Sequence, residues 1–157
     1  MKKTVCIAAL LGMLMLPCAV FTQTQAAQPP AAAVAQDQTA KQEAAKQAAR
    51  SWLALVDAVN YGQSWREAAS FFQSKVSKED WEKALQQVRA PLGVAGSRTL
   101  LGAQYQTDLP NTPKGEYVIL PYKTEFAGMG PVLETVILML DKDGKWRVSG
   151  YFVKPAQ

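Results

Sequence analysis

Histidine is absent from all 157 residues, and the two cysteines, Cys6 and Cys18, both lie near the N-terminus. The first absence removes the imidazole base, the His-containing catalytic triads and every His-based metal site. If the N-terminal segment is cleaved, thiolate nucleophiles, disulfides and cysteine ligands go with it. Beyond the N-terminal Lys2-Lys3, the charges are interspersed with no run of Lys or Arg, so there is no electrostatic footprint for nucleic acid. Phosphate-binding glycine loops, EF-hand loops and nucleotide fingerprints are missing too. Gly128-Met-Gly130 follows no strand-to-helix transition. Asp141-Lys-Asp-Gly144 opens like a calcium loop without the remaining ligands. No cofactor and no metal are expected.

Long hydrophobic runs are also lacking. Lys2 and Lys3 precede an apolar run from Val5 to Leu16 that Pro17 ends. At about a dozen residues, this run is too short to cross a hydrocarbon core of ~30 Å comfortably. With the small, Gln/Ala-rich residues after it, it has the three parts of a secretory signal, expected over residues 1–26. Cys18 raises a lipoprotein reading, but Pro17 directly before it fits that cleavage poorly. The expectation is export to the periplasm or outside, with no transmembrane span in the mature chain. Removing Lys2 and Lys3 lowers the formal charge from +4 to about +2.

Residues 27–38 are rich in Ala, Gln and Pro and contain no aromatic residue, which reads as a flexible tether. A single α+β domain is expected over residues 39–155, enough for one modest core. Thr39 to about Asn60 has helical periodicity, with Ala44, Ala48, Trp52, Leu55, Val56 and Val59 on one face and Tyr61-Gly62 closing it. Ser64 with Glu67 and Ser77 with Asp80 have the spacing of capping boxes that start two further helices. Trp65, Ala68, Ala69 and Phe72 line one of these, and Trp81, Leu85 and Val88 the other. Pro91-Leu-Gly93 then stops the helical region.

Strands follow. Ser97–Thr107 alternates with one wet phase, including Arg98, Gln104 and Gln106. In Gly115–Phe126, Pro121 implies an edge or a bulge, because proline cannot donate to a ladder. Val132–Leu140 is apolar or β-branched on nearly both phases. Asp141–Gly144 is a strong hairpin signal, and Trp146–Val153 alternates after it. Three helices against a mostly antiparallel four-stranded sheet is the resulting expectation.

Glu134 is the leading candidate for function, since it interrupts an otherwise apolar strand. A buried carboxylate must be paired, hydrogen-bonded or protonated. Arg98, Arg147, Tyr117 and Tyr151 stand at strand positions that could supply its partner. Asp57, late in the first helix near Trp52 and Tyr61, is the second candidate. Each has a plainer reading: an ion pair fixing sheet register for Glu134, a charge at a helix rim for Asp57, core packing for the tryptophans.

The pattern Trp52-Leu53, Asp57, Tyr61-Gly-x-x-Trp65, Phe72, Trp81, Arg89-x-Pro-Leu-Gly93, Arg98, Leu109-Pro and Gly115-Glu-Tyr117 resembles the bacterial DUF4019 family. Glu134-Thr135, Asp143-Gly144-x-Trp146-Arg-Val148 and Gly150-Tyr151 continue it. The resemblance spans about Arg50 to Val153 and implies a small exported protein, with no activity attached. The order of elements is also similar to the NTF2-like, cystatin-like α+β cone, in which helices pack into a curved sheet. That likeness implies a cone-shaped pocket.

A non-enzymatic binding or protein-interaction module is the first functional expectation. Its partner would be a small amphipathic ligand, a second copy in a homodimer, or an envelope protein. The alternatives are a small-molecule isomerase or lyase using Glu134 or Asp57 as base, with Tyr117 or Tyr151 as donor, and a structural envelope protein.

Overall fold

The computed structural model describes residues 30–156. The signal expected over residues 1–26, and residues 27–29 of the expected tether, lie outside them. Helix α1 spans Pro30–Asp57, so it begins well before Thr39 and takes in most of the stretch read as a tether. Alanine has the highest helix propensity, and these turns form with little burial. Short helices α2 (Tyr61–Arg66) and α3 (Ser70–Lys75) follow, then α4 (Lys78–Arg89). The strands are β1 (Ala95–Leu100), β2 (Gln104–Gln106), β3 (Tyr117–Phe126), β4 (Gly130–Leu140) and β5 (Trp146–Pro155). Among the described residues, no helix is long and apolar enough to cross a membrane.

The expected cone is not there. The sheet runs β1-β3-β4-β5, with β2 also paired to β3, so it is open and does not curl closed. Strong curvature needs bulges in the central strands. Here the central β3–β4 ladder keeps one register from Tyr117↔Met139 to Phe126↔Gly130. Shifts occur only beside it, between Ala95 and Arg98 on β1 and at Ile137/Leu138 where β4 meets β5. An α+β domain with helices packed on a mostly antiparallel sheet is the surviving description; its strands number five rather than four, and its helices four rather than three.

The extra strand follows from Pro121. Leu101 donates its backbone N–H to the Pro121 carbonyl at 2.8 Å, so the nitrogen without hydrogen faces the same neighbour. There the chain leaves β1 at Leu100 and rejoins the ladder as β2 at Gln104, splitting the one strand expected over Ser97–Thr107. The second helix is likewise divided. Ser64 is not a cap but a fully buried residue inside α2, where its hydroxyl donates to Tyr61 O and accepts from the Trp81 indole. Ser77 does cap α4, accepting the Asp80 N–H at 3.1 Å.

One face of the sheet receives the helices. Val118, Leu120, Tyr122, Val136, Leu138 and Val148 meet Ala45, Ala49, Trp52, Leu53 and Val56 of α1 and Trp81 and Leu85 of α4. The buried stripe of α1 is thus rotated from the expected face, and Val59 lies 62% exposed. That helix ends with Asn60 N–H on Leu55 O and Val59 N–H on Val56 O, which places Val59 at φ 62°. The end of α4 is fastened to the β3–β4 turn by Gly128, whose N–H donates to Leu92 O at 2.8 Å. A Cβ there would stand 2.7 Å from Pro91 O, so only glycine permits the approach. This fastening carries Arg89 over the sheet.

Candidate functional site

Each structural layer sends one or more polar side chains to a single point in the core. Glu134 enters from the inner face of β4 and is fully buried. Its Oε1 accepts from Arg89 Nη1 at 3.0 Å and from the Tyr151 hydroxyl. Its Oε2 accepts from Arg98 Nε at 2.8 Å and from Thr124 Oγ1. Both oxygens therefore carry two donors, which uses the acceptor capacity of a carboxylate. Tyr151 also accepts from Arg89 Nη1 at 3.1 Å, linking the two partners of Oε1.

The same two guanidiniums reach a second carboxylate. Asp57 Oδ1 accepts from Arg89 Nη2 at 2.5 Å and from Arg98 Nη2 at 3.1 Å, and Oδ2 accepts from Arg98 Nη1 at 2.9 Å. Asp57, Arg89, Glu134 and Arg98 thus close a ring of alternating charge with no net charge. Its members come from the end of α1, the end of α4, β4 and β1. Asp57 faces the negative end of its own helix dipole, an unfavourable place that two arginines offset, whereas Arg89 in the last turn of α4 suits the dipole. The Arg89 guanidinium also lies 4.7 Å from the centre of the Phe126 ring.

Burial opposes the charge on Arg98, but hydrogen bonds to Asp57 and Glu134 more than reverse it and hold the guanidinium above its ordinary pKa. In Arg89 burial is likewise outweighed, by Tyr151, Asp57 and Glu134. Burial and then the Glu134 charge push the Tyr151 phenol well above the usual tyrosine range. The ring is a closed ion-pair assembly in which every carboxylate oxygen has a donor.

Of the residues selected from sequence, Glu134, Asp57, Arg98 and Tyr151 come together here. Trp52 packs beside them, its ring 5.4 Å from Tyr151, and donates its indole N–H to Ser64 O at 2.8 Å. Tyr61 is a buried member of the same core. Tyr117 and Arg147 are elsewhere. Tyr117 is buried in a separate cluster with Ala69 and Met139, and its hydroxyl donates to Pro113 O at 2.6 Å. Arg147, opposite Met139, pairs with Asp143 at 2.7 Å. Both follow the strand phase opposite to that of Glu134.

Sequence reading missed Arg89 and Thr124 as site residues. The buried positions of α4 are Trp81, Leu85 and Arg89, an unbroken four-residue spacing, while Val88 is 42% exposed. A cation continuing an apolar stripe was the available signal. Thr124 carried a similar one, as the polar residue of a β3 phase that otherwise reads Val118, Leu120, Tyr122 and Phe126.

Beside the ring, Asp57 and Arg98 also line an open groove of about 330 Å³ with Arg50, Leu53, Ala54, Leu100 and Tyr122. Among the described residues, no group of three or more His, Cys, Asp or Glu side chains is placed to hold a metal.

An α+β domain with a buried ionic ring is the class these features define. The chain belongs to the DUF4019 family, a protein of unknown function by its description, whose model matches residues 48–151. That span contains every member of the ring. No curated protein matches the chain.

Proposed function

We propose that this chain is an exported, non-catalytic binding domain, in which the ionic ring holds the helices to the sheet and a ligand is taken up in the groove at its rim. The observation that carries this reading is the saturation of Glu134 by Arg89, Tyr151, Arg98 and Thr124. A general base needs a free lone pair within reach of a substrate proton. Glu134 has none to offer and no exposed surface, and Asp57 accepts three hydrogen bonds from two cations. An isomerase or lyase reading would require the ring to open before any chemistry.

Thermal unfolding of Glu134→Gln tests the proposal. A strut loses its ion pairs on this change, whereas a catalytic carboxylate held under strain is often relieved by it. A clear fall in Tm is expected. An unchanged or raised Tm would return Glu134 to the candidates for catalysis.

A further inference from the structure

The groove beside the ring has a donor set that the ring does not use. Tyr122 is only 5% exposed and lines the groove from β3, yet its hydroxyl has no hydrogen-bond partner among the described residues. Burial outweighs the nearby Arg50 and Arg98 and raises its pKa, so the phenol keeps its proton and stays a donor. Arg50, on α1, forms no ion pair among the described residues; its side-chain hydrogen bond goes to the neutral amide of Gln47 at 2.6 Å, and Glu43, whose charge it also meets, is paired with Lys46. Three guanidiniums therefore stand around two carboxylates, and the surplus positive charge is that of Arg50. Asp57 does not cancel it, because the charges of Asp57 and Glu134 are already balanced by Arg89 and Arg98.

The rest of the wall is apolar, made by Leu53, Ala54 and Leu100. A volume of about 330 Å³ sits at the small end of ligand sites, and few polar groups over an apolar floor is their usual composition. We infer that this groove binds a small monocarboxylate with an apolar tail. The carboxylate would take hydrogen bonds from Arg50 and the Tyr122 hydroxyl, and the tail would lie on Leu53, Ala54 and Leu100. One guanidinium and one hydroxyl suit a single negative charge with a planar oxygen pair. This assignment rests on the binding reading above and specifies its ligand.

The test is an amide-NMR titration of the full chain with hexanoate, 1-hexanol and hexylamine. Hexanoate is expected to shift the signals of Arg50, Ala54 and Tyr122 saturably, with hexanol and hexylamine at least ten-fold weaker. Arg50→Gln, at an exposed side chain, and Tyr122→Phe, at a buried one, are each expected to weaken hexanoate by about three- to ten-fold, as a charged and a neutral hydrogen bond lost. Neither residue belongs to the ring; Arg50 is exposed, and Tyr122→Phe keeps the aromatic ring that packs in the core, so both variants are expected to keep the fold. Equal binding of hexanol or hexylamine would overturn the carboxylate assignment while leaving a binding groove in place. Shifts confined to other parts of the molecule, or none with any of the three probes, would overturn both the assignment and the groove. The stability of Glu134→Gln judges the non-catalytic reading separately.

Discussion

Arg89 and Glu134 form an ion pair across the helix–sheet boundary, with 3.0 Å between Nη1 and Oε1 and side-chain exposures of 5% and 0%. They are 45 positions apart in the chain. Each also has a second ionic partner, Arg98 for Glu134 and Asp57 for Arg89, so losing either member unbalances a buried ring, which is strongly destabilising. The pair explains why a cation sits on the packing stripe of α4 and why an acid interrupts β4. Its consequences are measurable.

Removing single members of the ring should cost stability in the order of their burial. Arg89→Met and Glu134→Gln each leave the ring one buried charge out of balance, for a loss of ~3–5 kcal/mol. For a domain of this size that corresponds to a Tm lower by about 10–20 °C. Arg98→Met should cost less, and Asp57→Asn, on a side chain 29% exposed, the least of the four. Differential scanning calorimetry of the four variants gives the ranking.

Tyr151 should govern the alkaline limb of stability. Its folded pKa is raised above the ordinary value of 10.0, by burial and by Glu134. The native state thus holds a proton that the unfolded chain releases, so the stabilisation is complete below pH 10 and is lost as pH rises beyond it. Urea unfolding between pH 8 and 11 should show a steeper decline for the native sequence than for Tyr151→Phe.

Asp141 should act at the acid end, with the opposite sign. Burial pushes its pKa up, but the backbone and hydroxyl hydrogen bonds from Ser70, with the Lys142 N–H and the Arg147 charge, bring it below the usual 3.8. Its contribution is present above that value and disappears as pH falls through the folded pKa. The stability difference between the native sequence and Asp141→Asn should therefore shrink on acidification from pH 6 to 3, as followed by urea midpoints.

Val59→Gly should stabilise. Val59 occupies φ 62° at the end of α1 with its side chain 62% exposed. A β-branched residue is disfavoured there and glycine is not, while little packing is lost. A gain of about 0.5–1 kcal/mol in chemical denaturation is expected, glycine's greater freedom when unfolded taking back part of the benefit.

Local signals in the sequence carried much of the architecture. The Asp141–Gly144 hairpin, with Gly144 at φ 75°, and the Ser77 cap both formed where the residues predict them. These features depend on neighbours in the chain. Sheet shape does not, and the cone failed because an uninterrupted β3–β4 register is fixed by long-range pairing. Strand phase misplaced two site candidates. Tyr117 and Arg147 were plausible partners for Glu134 by type, but alternation puts them on the other face of the sheet. Arg89 was hidden by a one-residue choice between Val88 and Arg89 on α4, which periodicity alone decides weakly. The interruption of apolar phases by Glu134 and Thr124 was readable, and these two residues do meet.

A double-mutant cycle between Arg89 and Glu134 tests the central claim most directly. Arg89→Gln, Glu134→Gln and the double variant would be compared with the native sequence by urea unfolding at pH 7. Residues coupled in a buried network show interaction energies of about 0.5–3 kcal/mol. A coupling of ~1.5 kcal/mol or more, with the double variant far less destabilised than the sum of the singles, is expected for a structural ring. Simple additivity would contradict it.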